Sequence, residues 1–88
     1  MSHMQTHLAS VAADHGFTVE ATDYHGGLTY AAMLKKTSTG LAWKIEVHRE
    51  SYGTQWLAVM LCKALSIQVT GDRMPSFEAA VSRVFILI

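Results

Sequence analysis

Residues 41–48 have the sequence LAWKIEVH, in which apolar and polar side chains alternate without a break. A period of two residues is typical of a strand with one buried face and one solvent face. The apolar row, which we expect to face the core, is Leu41, Trp43, Ile45 and Val47. The opposite row is Ala42, Lys44, Glu46 and His48. The stretch therefore predicts a half-buried strand whose outer side carries mixed charge.

Two more strands are predicted before this one. Phe17, Val19 and Ala21 alternate with polar residues and form the inward row of the first. The inward row of the second is Leu28, Tyr30, Ala32 and Leu34. The turn sequences between the strands are HGG at residues 25–27 and TSTG at residues 37–40. Connections this short cannot form a parallel crossover, so the strands are predicted to form an antiparallel meander.

A helix is predicted on each side of the strands. Residues 4–15 place one apolar row at helical spacing, made of Met4, Leu8, Val11, Ala12 and His15. Gly16 then has the position of a left-handed C-cap. The second helix is predicted to follow Pro75, with Ser76 as its N-cap. Its apolar face is predicted to be Phe77, Ala80, Val81, Val84 and Leu87.

Residues 54–69 allow two interpretations. Their Leu, Ala, Met and Lys content favours a helix, and no Gly, Pro, Asn or Asp lies between Gln55 and Val69 to mark a hairpin turn. The preceding ESYG at residues 50–53 instead fits a type I turn, with Gly53 left-handed, that would continue the meander. Residues 67–70 also alternate as a strand does. We favour a strand for residues 54–62.

The sequence therefore predicts an α+β fold with two layers. It has an N-terminal helix, an antiparallel meander of three to five strands, and a C-terminal helix packed on one sheet face. The 88 residues support one domain. Met1-Ser2-His3 is typical of a cloning remnant, so we expect the domain to comprise residues 4–88.

We expect a cytoplasmic protein that does not associate with membranes. No segment reaches the roughly 20 apolar residues that cross a bilayer. The single cysteine, Cys62, excludes an internal disulfide and favours a reducing compartment. Cys62 lies within an apolar run, so it is predicted to be buried and inert.

The charge balance does not favour nucleic-acid binding, which is kept as an alternative. Seven Lys and Arg balance seven Asp and Glu, whereas capture of a polyanion needs a basic surface. The basic residues that would contribute are Lys35, Lys36, Lys44 and Arg49.

No catalytic, cofactor-binding or metal-binding residues are predicted. Zinc sites draw on closely spaced Cys or His pairs, which the spacing of His7, His15, His25 and His48 does not provide. The segment that most resembles a catalytic or ligand-binding loop is DYHGG at residues 23–27, but a hairpin turn accounts for its glycines. A small enzyme or ligand-binding fold is the second alternative, and it would need a pocket with titratable groups of shifted pKa.

The outward rows of the second and third strands form a candidate surface for a protein partner. It combines mixed charge with one adaptable methionine side chain, and its members are Met33, Lys35, Lys44, Glu46 and His48. We therefore expect a non-catalytic protein-interaction module. It would act as a regulator or inhibitor of a protein partner, as small domains encoded by phages or mobile elements often do.

Self-association is also expected. Half of the residues are hydrophobic, residues 56–62 are apolar on both sides, and the chain ends on VFILI. A second copy would cover this surplus, most simply as a twofold homodimer. The residues predicted to form the contact are Trp56, Ala58, Met60, Phe85, Ile86 and Ile88.

Overall fold

A computed structural model describes residues 3–25, 29–50 and 53–88. Within these ranges the helices are α1 (His3–Asp14) and α2 (Phe77–Leu87), with a short 3-10 helix at Lys63–Leu65. The strands are β1 (Phe17–His25), β2 (Thr29–Lys36), β3 (Ala42–Arg49), β4 (Trp56–Cys62) and β5 (Ile67–Thr70). The predicted turn residues Gly26 and Gly27 and the predicted core residue Leu28 lie outside the described residues.

All described strands form one antiparallel sheet in the order β1-β2-β3-β4-β5. The strand interpretation of residues 54–62 is confirmed for residues 56–62, and the helical alternative for residues 54–69 is wrong. The Glu50 N–H donates to the Gln55 carbonyl at 3.0 Å, which returns the chain along β3. The Gly53 N–H donates to the Glu50 carbonyl at 3.4 Å. The φ predicted for Gly53 depends on the position of Tyr52, which lies outside the described residues.

Both helices pack on the same face of the sheet, so the predicted two-layer α+β architecture is confirmed. The Phe77 ring of α2 meets Tyr30 edge-on at a centroid distance of 5.4 Å, and Phe85 meets Phe17 at 5.5 Å. We call the sheet face under the helices the inner face. The buried core comprises Leu8, Ala12, Phe17, Tyr30, Ala32, Leu34, Trp43, Ile45, Val47, Ala58, Met60, Cys62, Phe77, Ala80, Val81, Val84 and Phe85.

The helix ends follow from local chemistry. Gly16 has a φ of 80°, a left-handed conformation that glycine adopts without steric cost, and it ends α1. The Ser76 Oγ accepts a hydrogen bond from the Ala79 N–H at 3.1 Å, which caps the first turn of α2. Both predicted caps are confirmed.

The predicted inward position of Ala21 is wrong, because β1 contains a β-bulge. The pairing with β2 shifts between Val19 and Ala21, so that Ala21 lies opposite Met33 on the other face. A bulge inserts one extra residue and reverses the facing of every residue after it. Thr22 consequently takes the inner-face position, where its Oγ1 accepts a hydrogen bond from Gln5 Nε2 at 3.0 Å.

The predicted core position of Leu87 is also wrong. Leu87 is 43% exposed, whereas Phe85 is 2% exposed. Phe85 points between the sheet and α1, where its ring packs against Phe17 and His15. Leu87 lies about 200° further around the helix, beyond the reach of the sheet.

No helix in the described ranges combines the length and the apolar character needed to span a membrane.

We predict that Trp43→Ala destabilises the protein by about 3–5 kcal/mol, because it leaves a large cavity in the core. Trp43 is 6% exposed and packs edge-on against Phe17 at 5.7 Å. Urea unfolding monitored by circular dichroism measures the loss. Trp43→Phe is the matched control: it keeps a ring and removes the indole Nε1, which is buried without a partner in the described structure. If Trp43→Ala were as stable as the unmodified protein, Trp43 would not be a core residue.

Candidate functional site

The face of the sheet opposite the helices carries the predicted partner-binding residues. Strand pairing places Met33 beside Lys44, and Ala31 beside Glu46, with their side chains pointing away from the helices. We call this surface the open face. Its residues on β2, β3 and β4 are Thr29, Ala31, Met33, Lys35, Ala42, Lys44, Glu46, His48, Leu57, Val59 and Leu61. The structure thus brings Met33, Lys35, Lys44, Glu46 and His48 together on one surface.

The outward residues Lys44, Glu46 and His48 of β3 form what we call the charged row, and its charges are neutralised within the row. The Lys44 Nζ lies 3.1 Å from Glu46 Oε2, and the His48 Nε2 lies 3.9 Å from Glu46 Oε1. The side chains of Lys44 and His48 are nearly half exposed. Ion pairs at this exposure contribute at most about 1 kcal/mol to stability, so a partner can exchange them at low cost.

Beside the charged row runs an apolar row that the predicted site did not include. Leu57, Val59 and Leu61 alternate with the core residues of β4, and each is only half-buried. Val59 pairs with Glu46, and Leu61 pairs with Lys44. The signal was present in the sequence, because residues 56–62 are apolar on both sides. Only the register against β3 assigns these residues to the open face.

Two shallow grooves flank the Met33 side chain, which is 44% exposed. One has a volume of about 370 Å³, with Lys44 and Leu61 on its walls. The other, of about 290 Å³, lies toward β1, and its walls include Asp23 and Glu46. The open face therefore offers apolar recesses bordered by both signs of charge, a combination common at protein–protein contacts.

The residues predicted for self-association do not share one surface. Ala58, Met60 and Phe85 are buried in the core of the single chain, so their side chains cannot contact a second copy. Trp56 is half-buried against Phe77 at 5.7 Å on the inner face. Ile86 and Ile88 are exposed, at 66% and 43%. The β4 residues in this prediction belong to its inner row. In a strand whose residues are all apolar, the sequence does not distinguish the buried face from the exposed face.

A larger cleft lies between the N-terminal ends of the two helices. Its volume is about 720 Å³, and its apolar walls are Met4, Trp56 and Phe77. Tyr30 and Glu78 contribute polar groups to the lining. The Glu78 Oε1 pairs with His3 Nε2 at 2.8 Å.

Tyr30 is the titratable group of this cleft whose pKa is shifted. Burial raises the pKa of the Tyr30 phenol above its ordinary value of 10.0, because the phenolate would lose its hydration, and a hydrogen bond with Thr22 opposes the shift. Thr22 in turn accepts a hydrogen bond from Gln5. A neutral phenol in this position can donate a hydrogen bond, and it does not act as a base at neutral pH.

The described residues do not bring three His, Cys, Asp or Glu side chains together in a metal-binding arrangement. His15 Nδ1 lies 3.1 Å from the Val11 carbonyl, as expected for a residue at a helix end. Cys62 is 1% exposed and free, as predicted. Comparison with protein-family models, curated proteins and solved structures finds no match to this chain.

We predict that stability falls at alkaline pH through Tyr30. Because the pKa of Tyr30 is raised in the folded state, the neutral phenol contributes stability below about pH 10, which is lost as the pH rises further. The free energy of unfolding, measured in urea at pH 8 and at pH 11, should fall less for Tyr30→Phe than for the unmodified protein. Trp43→Phe, which retains Tyr30, should keep the full dependence. An identical fall in Tyr30→Phe would contradict the assignment.

Proposed function

We propose that this chain is a non-catalytic protein-interaction module that binds a protein partner through the open face. The observation that carries the proposal is the uncovered sheet face, where the apolar row of β4 lies beside a neutralised charged row of β3. Sheets normally cover an apolar face with another layer. A partner would supply that layer here, and regulation or inhibition of the partner would follow from occupying its surface.

The arrangement of charge supports a protein partner over nucleic acid. Lys35 and Lys44 lie on the open face, and Lys44 is paired with Glu46. Lys36 instead lies over the Phe17 ring at 5.8 Å, and Arg49 lies by the Trp56 ring at 5.9 Å, both on the helix side. These four basic residues therefore point to both sides of the sheet, whereas a phosphate backbone is bound by a basic surface on one side.

The test is affinity capture from a lysate of the source cell, with and without nuclease. We predict that Met33→Glu abolishes capture of the partner, because it places a charge between the two grooves of the open face. Ile86→Glu is the matched control: it also replaces an exposed apolar side chain by glutamate, at a residue 66% exposed on α2, and it should capture normally. Unchanged capture by Met33→Glu, or loss of the captured material on nuclease treatment, would refute the proposal.

The cleft between the helix ends supports a second candidate, the binding of a small ligand. Its volume of about 720 Å³ lies within the range of roughly 300–1,000 Å³ that is typical of ligand pockets. Aromatic walls beside a carboxylate suit a flat apolar ligand with a positive charge. The relevant residues are Trp56, Phe77 and Glu78.

The second candidate is tested by titration with tryptamine and with indole, followed by NMR. We predict that tryptamine binds more tightly than indole, and that Glu78→Gln removes the difference because the carboxylate is lost. Chemical-shift changes should centre on Trp56 and Phe77. Absence of binding by either compound, or an unchanged preference in Glu78→Gln, would reject the cleft as a site for this class of ligand.

A further inference from the structure

The outer edge of β5 carries backbone groups that point away from the sheet. Among the described residues, β5 is the last strand of the sheet and pairs only with β4. The Gly71 N–H donates to the Ala58 carbonyl at 2.8 Å, which identifies this pair as a hydrogen-bonded one. Because hydrogen-bonded pairs alternate along antiparallel strands, Val69 bonds to β4. Gln68 and Thr70 therefore turn their N–H and C=O groups toward the free edge.

The two edges of the sheet differ in how they are protected. The β1 edge has a bulge between Val19 and Ala21, and it carries the acidic residues Glu20 and Asp23. Bulges and charges are the devices by which proteins prevent edge-to-edge pairing. β5 has the sequence IQVT, without a charge or a proline, and its pairing with β4 is regular. β5 is thus the edge that is open to pairing.

Apolar side chains surround this free edge. Ile67 is 38% exposed, Leu65 is 51% exposed and Leu87 is 43% exposed. Leu87 lies on the β5 side of α2, because Arg83, one turn earlier, donates from Nε to Asp72 Oδ2 at 2.7 Å, and Asp72 follows β5 closely. The edge therefore combines unpaired backbone groups with an apolar border.

We propose that β5 pairs antiparallel with β5 of a second copy of this chain, about a twofold axis at Val69. In this register Gln68 lies opposite Thr70 of the second copy, and Thr70 lies opposite its Gln68. Every outward N–H and C=O group of the two residues then has a partner, so the strand is complementary to itself. The twofold closes the assembly, because no β5 edge is left free.

A stable dimer requires an interface larger than the strand edge itself. A standard interface buries roughly 800 Å² per partner, about one-sixth of the 5157 Å² accessible surface of this chain. A four-residue strand edge is too small alone. Paired β5 strands set the two β4 strands roughly 14 Å apart by strand spacing. The α2 helices then flank the axis, and the apolar side chains of Ile67 and Leu87 fill the space between them.

The decisive variant is Thr70→Pro. The Thr70 N–H points to the free edge, so proline removes an intermolecular hydrogen bond and no hydrogen bond within the sheet. Thr70→Val is the matched control, since it keeps the N–H group and the preference for a strand. By light scattering at micromolar concentration, the unmodified protein and Thr70→Val should show twice the chain mass of 9.7 kDa. Thr70→Pro should show half the mass of the dimer and an unchanged far-UV circular dichroism spectrum.

Hydrogen exchange provides a test that does not depend on any variant folding. The amides of Gln68 and Thr70 should become protected as the protein concentration rises, whereas the Val69 amide is protected at all concentrations. A monomer mass throughout, or a dimer in which the Gln68 and Thr70 amides exchange freely, would overturn the proposal. The outcome is independent of the open face: Met33→Glu should still dimerise, and Thr70→Pro should still capture the partner.

Discussion

The whole structure depends on one constraint: a five-stranded sheet is covered by helices on a single face. The register of β3 between β2 and β4 decides which side chains reach that face. Trp43, Ile45 and Val47 fall under the helices, and Lys44 and Glu46 fall on the other side. Because the chain supplies no second layer within its described residues, every outward position on the central strands stays accessible. The same strand register therefore determines both the core residues and the residues of the candidate site.

Much of the fold could be predicted because local patterns agreed with the final packing. β3 alternates perfectly, and Gly16 and Ser76 mark helix ends by chemistry that acts over a few residues. The errors arose where packing at a distance decided the outcome. The bulge before Ala21 leaves the alternation of apolar and polar residues in the sequence unbroken. The sequence therefore gives no sign that the strand reverses its faces there. Leu87 matched the helical period, yet the sheet does not extend beneath it.

The candidate site was predictable to the same extent. The charged members of the open face follow from alternation in β2 and β3, where polar and apolar residues differ. β4 has no such contrast, so the sequence could not distinguish Leu57, Val59 and Leu61 from the buried Ala58 and Met60. Only pairing with β3 resolves them. The same reason explains why the predicted self-association residues included core positions, since apolar character alone does not separate a core from an interface.

The open face and the β5 edge offer different kinds of contact, so both could be occupied at the same time. The open face presents side chains, whereas the edge presents backbone groups with which another strand can pair. Pairing at the edge would leave Met33 and Lys44 uncovered and would place two open faces on one continuous sheet. A partner with repeated sites would then bind both faces with a gain from effective concentration, without any new contact. Because the core of so short a chain gives a small stability margin, the same pairing would also stabilise the fold in proportion to protein concentration. Binding and folding would thereby be linked through the four residues of β5.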